Sequence, residues 1–283
     1  MSKNLNKDIL ICPICKGDNL LFLENELICT NCNNSNKIEN GKYIFTVSKL
    51  EDIVDDFDRL KYSIKNHYKL YTFLTNTFSP VFADNYHFKF IKKYCNKKDL
   101  TILNLGSGNS DYTEYISNVD MFNYNNVNLV CNIDNLPLKS NSCDIIINIA
   151  VLEHVNNPEL VVSEIFRVLK KGGIVFSFFP FIQGFHASPY DFSRRTNEGI
   201  KYLFKDFNIM EIRIAGGPTS GFLWIFQEFI AIFFSFGIKR LHNVILIILL
   251  MLTFPIKFLD LLLRYFPMSE NIASGFYYIG KKP

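Results

Sequence analysis

Residues 100–112 read LTILNLGSGNSDY, an apolar stretch of strand length that runs straight into Gly106 and Gly108. Glycines at that point permit a tight turn and let a ligand approach the backbone closely at a strand's C-terminal edge. The stretch is not a full GxGxxG phosphate fingerprint, since position 111 is Asp, and no P-loop lysine follows. A pyrophosphate-binding dehydrogenase is therefore disfavoured.

Downstream, SNVDM ends a second short strand near Asp120, and NLVCNI supplies a third run before the turn at DNLP. A carboxylate at the end of a second strand can accept hydrogen bonds from both hydroxyls of a ribose; a solvated turn Asp is the other reading of Asp120. The next unit is better defined. CDIIINIAVLEHV is a buried-strand pattern entering a loop, NNPELVVSEIFRVL has helical periodicity, and KKGGIVFSFF begins another strand, with Gly172 and Gly173 as the expected stop of the helix. Strand, helix, turn and strand in that order predict doubly wound α/β packing.

Upstream, residues 10–32 read LICPICKGDNLLFLENELICTNC, two CxxC pairs separated by thirteen residues. Four thiolates from Cys12, Cys15, Cys29 and Cys32 can surround one Zn²⁺ tetrahedrally, with the intervening chain folded as a hairpin. No open ligand position is evident, so this metal is expected to be structural. The surrounding sequence resembles a zinc ribbon. Residues 49–98 mix charges and aromatics at helical spacing, with Pro80 interrupting two helical portions; His67 and His87 read there as surface or packing residues.

Composition narrows the class. The chain has 283 residues, 48% hydrophobic and 20% charged, so wholesale disorder is excluded. Thirty Lys plus Arg against 27 Asp plus Glu give +3, too small an excess for a nucleic-acid-coating protein. The start, MSKNLNKDILICPICKG, lacks the apolar run of a secretory signal, which with the paired cysteines points to a reducing, cytoplasmic setting.

Taken together, ILNLGSG, SNSCDIIINIAVLEHV and EIFRVLKKGGIVFSFFPF resemble class I S-adenosylmethionine-dependent methyltransferases of the type 11 group, over about residues 99–214. The resemblance implies a mostly parallel seven-stranded methyltransferase sheet and S-adenosyl-L-methionine as cofactor. It implies that Gly106 and Gly108, with Leu105 and Ser107 around them, make room for the methionine portion, that Asp120 holds ribose, and that Leu136 flanks adenine, with Ile133 and Ala150 beside the cofactor. Where the family commonly has Asp four residues before that Leu, this chain has Asn132; either its amide makes the adenine contact or the register slips to Asp134. After the fifth strand, PFIQGFHASPYDFSRRT resembles the family's HxxPxDxxRxT stretch, with His186, Asp191 and Arg194 in its polar positions.

Methyl transfer needs donor, methyl and acceptor aligned, and a base only for some acceptors. Glu153 and His154 follow the fourth strand in VLEHV, where His154 either takes a proton or orients the acceptor, or else caps and packs. Asp191 and Arg194 either recognise a polar or anionic acceptor or form an internal ion pair bracing the loop.

FNIMEIRI at 207–214 and SGFYYIGK at 274–281 read as the last two strands, and between them lies a strongly apolar insertion. Gln227 and Glu228 break its first run, and Pro255 and Lys257 its second. A re-entrant or interfacial hairpin at the cytoplasmic membrane face fits better than two clean spans; a buried cap or a dimer surface are the alternatives. The expected organisation is a zinc-ribbon-like module at 1–45, a helical connector at 46–98, the cofactor-binding core at 99–214, the hydrophobic insertion at 215–273, and a final strand with tail at 274–283. The expected activity is methylation of oxygen or nitrogen on a small-molecule, glycan or lipid-linked acceptor. Ribosomal RNA methylation and a non-catalytic membrane-associated zinc adaptor are the competing readings.

Overall fold

The computed structural model describes residues 5–46, 77–82, 84–186 and 190–283. Most of the expected helical connector, with His67, lies outside the described residues.

Four short strands open the chain: β1 (Leu20–Phe22), β2 (Glu26–Cys29), β3 (Ser35–Glu39) and β4 (Lys42–Ile44). They form successive antiparallel pairs, and the β1–β2 hairpin is the one that brings the second cysteine pair back to the first. After helix α1 (Tyr86–Tyr94) come β5 (Ile102–Leu105), β6 (Ile116–Asp120), β7 (Leu129–Val130) and β8 (Cys143–Ile149). Every residue of β5 is buried, as expected of a strand covered on both faces.

Helix α2 (Pro158–Val168) starts where Asn157 accepts from the Leu160 N–H and Pro158 occupies the first turn. Its buried face is Val161, Val162, Ile165 and Val168. The helix stops at Val168, before the glycine pair expected to end it, and strand β9 (Leu169–Pro180) runs through Gly172 and Gly173. Gly172 has φ +77°, which the strand can absorb only because it is glycine. Helix α3 (Asn197–Leu203), β10 (Asn208–Gly216), the long helices α4 (Pro218–Ser235) and α5 (Lys239–Thr253), and β11 (Gly275–Lys281) complete the chain.

These strands make one open, mixed sheet in the order β1-β2-β3-β4-β7-β6-β5-β8-β9-β11-β10. From β4 to β9 the pairings are parallel, and β11 enters antiparallel between β9 and β10. Parallel strands place all their C-terminal ends on one edge of the sheet, which is where a ligand site is built in open α/β folds.

The N-terminal module continues this sheet instead of standing apart from it. Tyr43 pairs with Leu129 and Ile44 with Val130 across β4 and β7, and Leu5, Ile9, Leu10 and Tyr43 share one apolar core with Leu103, Leu129 and Leu138. At the far edge, α4 and α5 form an antiparallel hairpin turned by Phe236 and Gly237, both left-handed. A helical segment over Lys239–Leu263 is long and apolar enough to cross a membrane by length and composition.

Candidate active site

The Gly106–Gly108 turn leaves β5 with φ +64° at Gly106 and +51° at Gly108. A Cβ at Gly106 would stand 2.4 Å from a methyl of Val151, so the turn needs glycine because the segment after β8 packs against it. A Cβ at Gly108 would meet nothing within 4 Å; there the space opens outward. Asp120, at the end of β6, is buried and accepts from the Gly108 N–H at 2.8 Å and the Phe122 N–H at 2.9 Å. Burial pushes its carboxyl above the usual range, while the N–H groups of Phe122, Gly108 and Met121 pull it down. Three N–H donors occupy three of the carboxylate's roughly four acceptor positions, so bracing the turn leaves room to accept a ribose hydroxyl. Leu105 and Ser107 are buried beside the turn.

In the loop after β7, Asn132 and Asp134 are exposed while Ile133 and Leu136 are buried, Leu136 completely. The Leu136 N–H donates to Glu164, whose carboxylate also receives Arg167, and Arg167 donates in turn to the Leu136 and Leu138 carbonyls. The first cysteine knuckle grips the same loop. Ile11 N–H donates to the Pro137 carbonyl, Lys139 N–H to that of Ile9, and the Asn135 side chain joins the Pro13 carbonyl and Lys16. Asn135 carries no expected role in the sequence reading, where nothing local ties it to the cysteines.

The four cysteine sulfurs lie within 4.8 Å of one another, with Cys12 to Cys32 at 3.6 Å and Cys15 to Cys29 at 3.5 Å. Sulfurs bound at about 2.3 Å to one tetrahedral Zn²⁺ stand about 3.8 Å apart. The cluster therefore has the chemistry and the spacing of a metal-binding module.

At the other end of the edge, Ala150 follows β8 with φ +54°, and a short turn over Leu152–His154 carries Glu153 and His154. The loop after β9 brings back His186, Asp191 and Arg194. Arg194 forks onto Asp191, reaching one carboxylate oxygen at 2.6 Å, and donates at 2.9 Å to the Gly184 carbonyl. Asp191 accepts from the His186 N–H at 2.8 Å. Against the burial that raises it, these donors hold the Asp191 carboxyl below its usual range. The internal ion pair, the alternative to acceptor recognition, is thus present, and it also fixes His186. The two imidazoles meet edge to face, 5.5 Å between centroids, and His154 Nδ1 lies on the Tyr190 carbonyl. Desolvation pushes His154 below the usual imidazole range.

Two further residues stand out: Glu153, which the sequence places beside His154 with no chemistry of its own, and Trp224, to which it gives no part. Glu153 is 2% exposed, burial pushes it up to about 7, and neither carboxylate oxygen has a hydrogen-bond partner among the described residues. Trp224, on α4, lies 5.7 Å from the His186 ring, and a Cβ on Gly184 would strike its indole nitrogen. The apolar hairpin therefore forms one wall of the histidine cluster.

A glycine turn locked to a second-strand carboxylate at the C-terminal edge of an open sheet defines a Rossmann-like α/β domain. More particularly, residues 103–177 match the model of a family described as a methyltransferase domain. An uncharacterized protein of Methanocaldococcus jannaschii is 34% identical over 108 residues, covering 32% of this chain and 48% of that protein. The chain thus aligns with about half the length of this curated relative. Among solved structures, a putative sarcosine dimethylglycine methyltransferase from Galdieria sulphuraria is 11% identical, with 81% of this chain and 98% of that one covered at TM-score 0.49. Haemonchus contortus phosphoethanolamine N-methyltransferase 2 with S-adenosyl-L-methionine is 17% identical, covering 82% and 61% at TM-score 0.48. A Haloferax volcanii complex between the Trm112 methyltransferase activator and a putative methyltransferase is 12% identical, covering 82% and 100% at TM-score 0.45.

Proposed function

We propose that the chain is an S-adenosylmethionine-dependent methyltransferase of the type 11 group, acting on oxygen or nitrogen of a small-molecule, glycan or lipid-linked acceptor. The observation that carries this reading is a coincidence of two lines: the match to a methyltransferase family over 103–177 contains the glycine turn that Asp120 locks at the sheet's C-terminal edge.

When bound, S-adenosylmethionine supplies a sulfonium-activated methyl group. In this reading Gly106 and Gly108, flanked by Leu105 and Ser107, admit its methionine portion, and Asp120 accepts from the ribose. Asn132, Ile133, Asp134 and Leu136 form the adenine side, and Ala150 lines the floor. His154 and His186 orient the acceptor or take its proton, and the Asp191–Arg194 pair sets the position of His186. Rate enhancement then comes chiefly from alignment. Cys12, Cys15, Cys29 and Cys32 hold a structural Zn²⁺ in a zinc-ribbon-like module spanning 1–45, ahead of a connector at 46–98, the core at 99–214 with its final strand at 274–283, and the insertion at 215–273.

The insertion is read as a peripheral or re-entrant membrane element at the cytoplasmic face. Its polarity supports this: Gln227 is buried and donates to Thr253 inside the hairpin, while Phe229, Phe233 and Leu252 face outward at 62%, 63% and 71% exposure. A hairpin that buries the Gln227 amide and displays its phenylalanines suits an apolar environment, which supports the lipid reading.

The test is calorimetric titration of zinc-loaded, detergent-purified protein with S-adenosylmethionine and its demethylated product. Saturable binding to both, weakened at least tenfold in Asp120→Ala, is the expected result. Folded protein that binds neither refutes the reading and favours a non-catalytic zinc adaptor.

A further inference from the structure

Glu153, His154 and His186 form a second group of ligand-type side chains, separate from the cysteines. One ligand atom from each lies within 4.8 Å of the others. Two imidazoles and one carboxylate are a common donor set for first-row divalent ions.

Three features of the surroundings match a cation better than a plain hydrogen-bonded cluster. First, both oxygens of the buried Glu153 carboxylate lack a partner among the described residues. Such a group ordinarily finds a donor or a cation. Second, the nearest imidazole nitrogen, Nε2 of His154, is 3.9 Å from Glu153 Oε1, too far for a hydrogen bond but within the roughly 3–4 Å that separates two ligands of one ion. Third, the rings are held from behind. Nδ1 of His154 rests on the Tyr190 carbonyl, and Nδ1 of His186 lies between the Gly184 carbonyl at 3.0 Å and Nη2 of Arg194 at 3.1 Å. An imidazole that donates Nδ1–H to a carbonyl keeps the Nε2 lone pair for a metal, and that is the tautomer the Tyr190 carbonyl favours for His154.

We propose that Glu153, His154 and His186 bind one first-row divalent cation, such as Mn²⁺ or Zn²⁺, at the acceptor end of the sheet edge. Three protein ligands leave open coordination positions, which suit an acceptor bearing hydroxyl, carboxylate or phosphate oxygens. That role rests on the methyltransferase reading. The ion site itself does not.

The test uses full-length, zinc-loaded protein treated with a carboxylate chelator that spares the thiolate site. Mn²⁺ is titrated while the free-ion paramagnetic resonance signal is followed, and zinc per chain is measured in parallel after reloading and gel filtration. The expected result is one Mn²⁺ per chain, or a second zinc beyond the cysteine-bound one, with affinity at least tenfold weaker in Glu153→Gln and in His186→Gln. The circular dichroism and the cysteine-bound zinc of both variants verify their fold. A single metal per chain with no Mn²⁺ bound overturns the proposal, as does a second equivalent that both variants keep. A parallel S-adenosylmethionine titration separates the two readings: ion binding without cofactor binding sinks the methyltransferase assignment alone, and cofactor binding without the ion sinks the metal site alone.

Discussion

The two edges of the sheet carry attachments built on opposite principles. At the β7 edge the cysteine module is joined by main-chain hydrogen bonds, by the Leu10–Leu138 bridge, and by a common apolar core. At the β10–β11 edge the helical hairpin is anchored chiefly at its base. There Asp260 accepts from the Thr219 and Ser220 N–H groups and the Ser220 hydroxyl, Lys257 donates to the Thr77 and Ser79 carbonyls, and Arg264 pairs with Asp84. Beyond the base, α5 has no buried residue at all. The first attachment shares the stability of the core, whereas the second depends on whatever covers its outer face.

The largest expected effect tests the cysteine side. A structural zinc contributes about 10–16 kcal/mol of apparent binding free energy, most of it expressed as folding of the module. Cys29→Ser should release the metal, and because β4 completes the sheet edge, hydrogen exchange in β7 and β6 should rise with it. Metal analysis together with exchange mass spectrometry checks this. Undiminished zinc, or exchange confined to residues before β4, would break the contrast between the two attachments.

Asp260→Ala should come next. It removes the acceptor shared by three donors at the buried start of α4, at a cost of about 2–4 kcal/mol. Its effect should stay local: faster exchange in α4 and α5, with β5 and β8 as protected as before. Uniform loss of protection would mean that the hairpin is welded to the core after all.

Outward-facing Phe229 and Leu252 give a smaller and more specific effect. Each apolar side chain moved from water into lipid is worth about 1.5–3 kcal/mol, so Phe229→Asp and Leu252→Asp should each weaken sedimentation with anionic vesicles about tenfold or more. Thermal stability in detergent should barely change, since neither side chain is buried. Vesicle binding that survives the double substitution would move the hairpin to the role of protein interface.

What the sequence disclosed follows the range of the interactions. The apolar run of β5, the CxxC pairs and the helical periodicity of NNPELVVSEIFRVL are local patterns, and each predicts its own element. The parallel pairing of β4 with the two-residue β7 joins positions 86 residues apart and leaves no periodic trace. The placing of Trp224 against His186 is similarly non-local, and a single sequence cannot reveal that the Glu153 carboxylate is enclosed without a donor. Gln227 and Glu228, read as interruptions of a membrane span, turn out to face inward partners, Thr253 and His242. An interruption in a linear hydropathy pattern became a seam between two helices.

The finest test concerns what the cysteine module does for the site. Its knuckle meets the loop after β7 through the Ile11 and Lys139 main-chain bonds and through Asn135, whose amide donates to the Pro13 carbonyl at 3.3 Å. Asn135→Ala removes that link and the one its side-chain oxygen accepts from Lys16, each worth about 1 kcal/mol, and leaves the backbone pairing and all four cysteines in place. If the module braces the adenine side of the proposed cofactor site, S-adenosylmethionine affinity should fall about three- to tenfold while zinc content and melting temperature hold. Weakening through a looser loop should also shorten the lifetime of the complex more than it slows association, which stopped-flow binding resolves. Unchanged affinity and lifetime would leave the module as a sheet extension with no hand in cofactor binding.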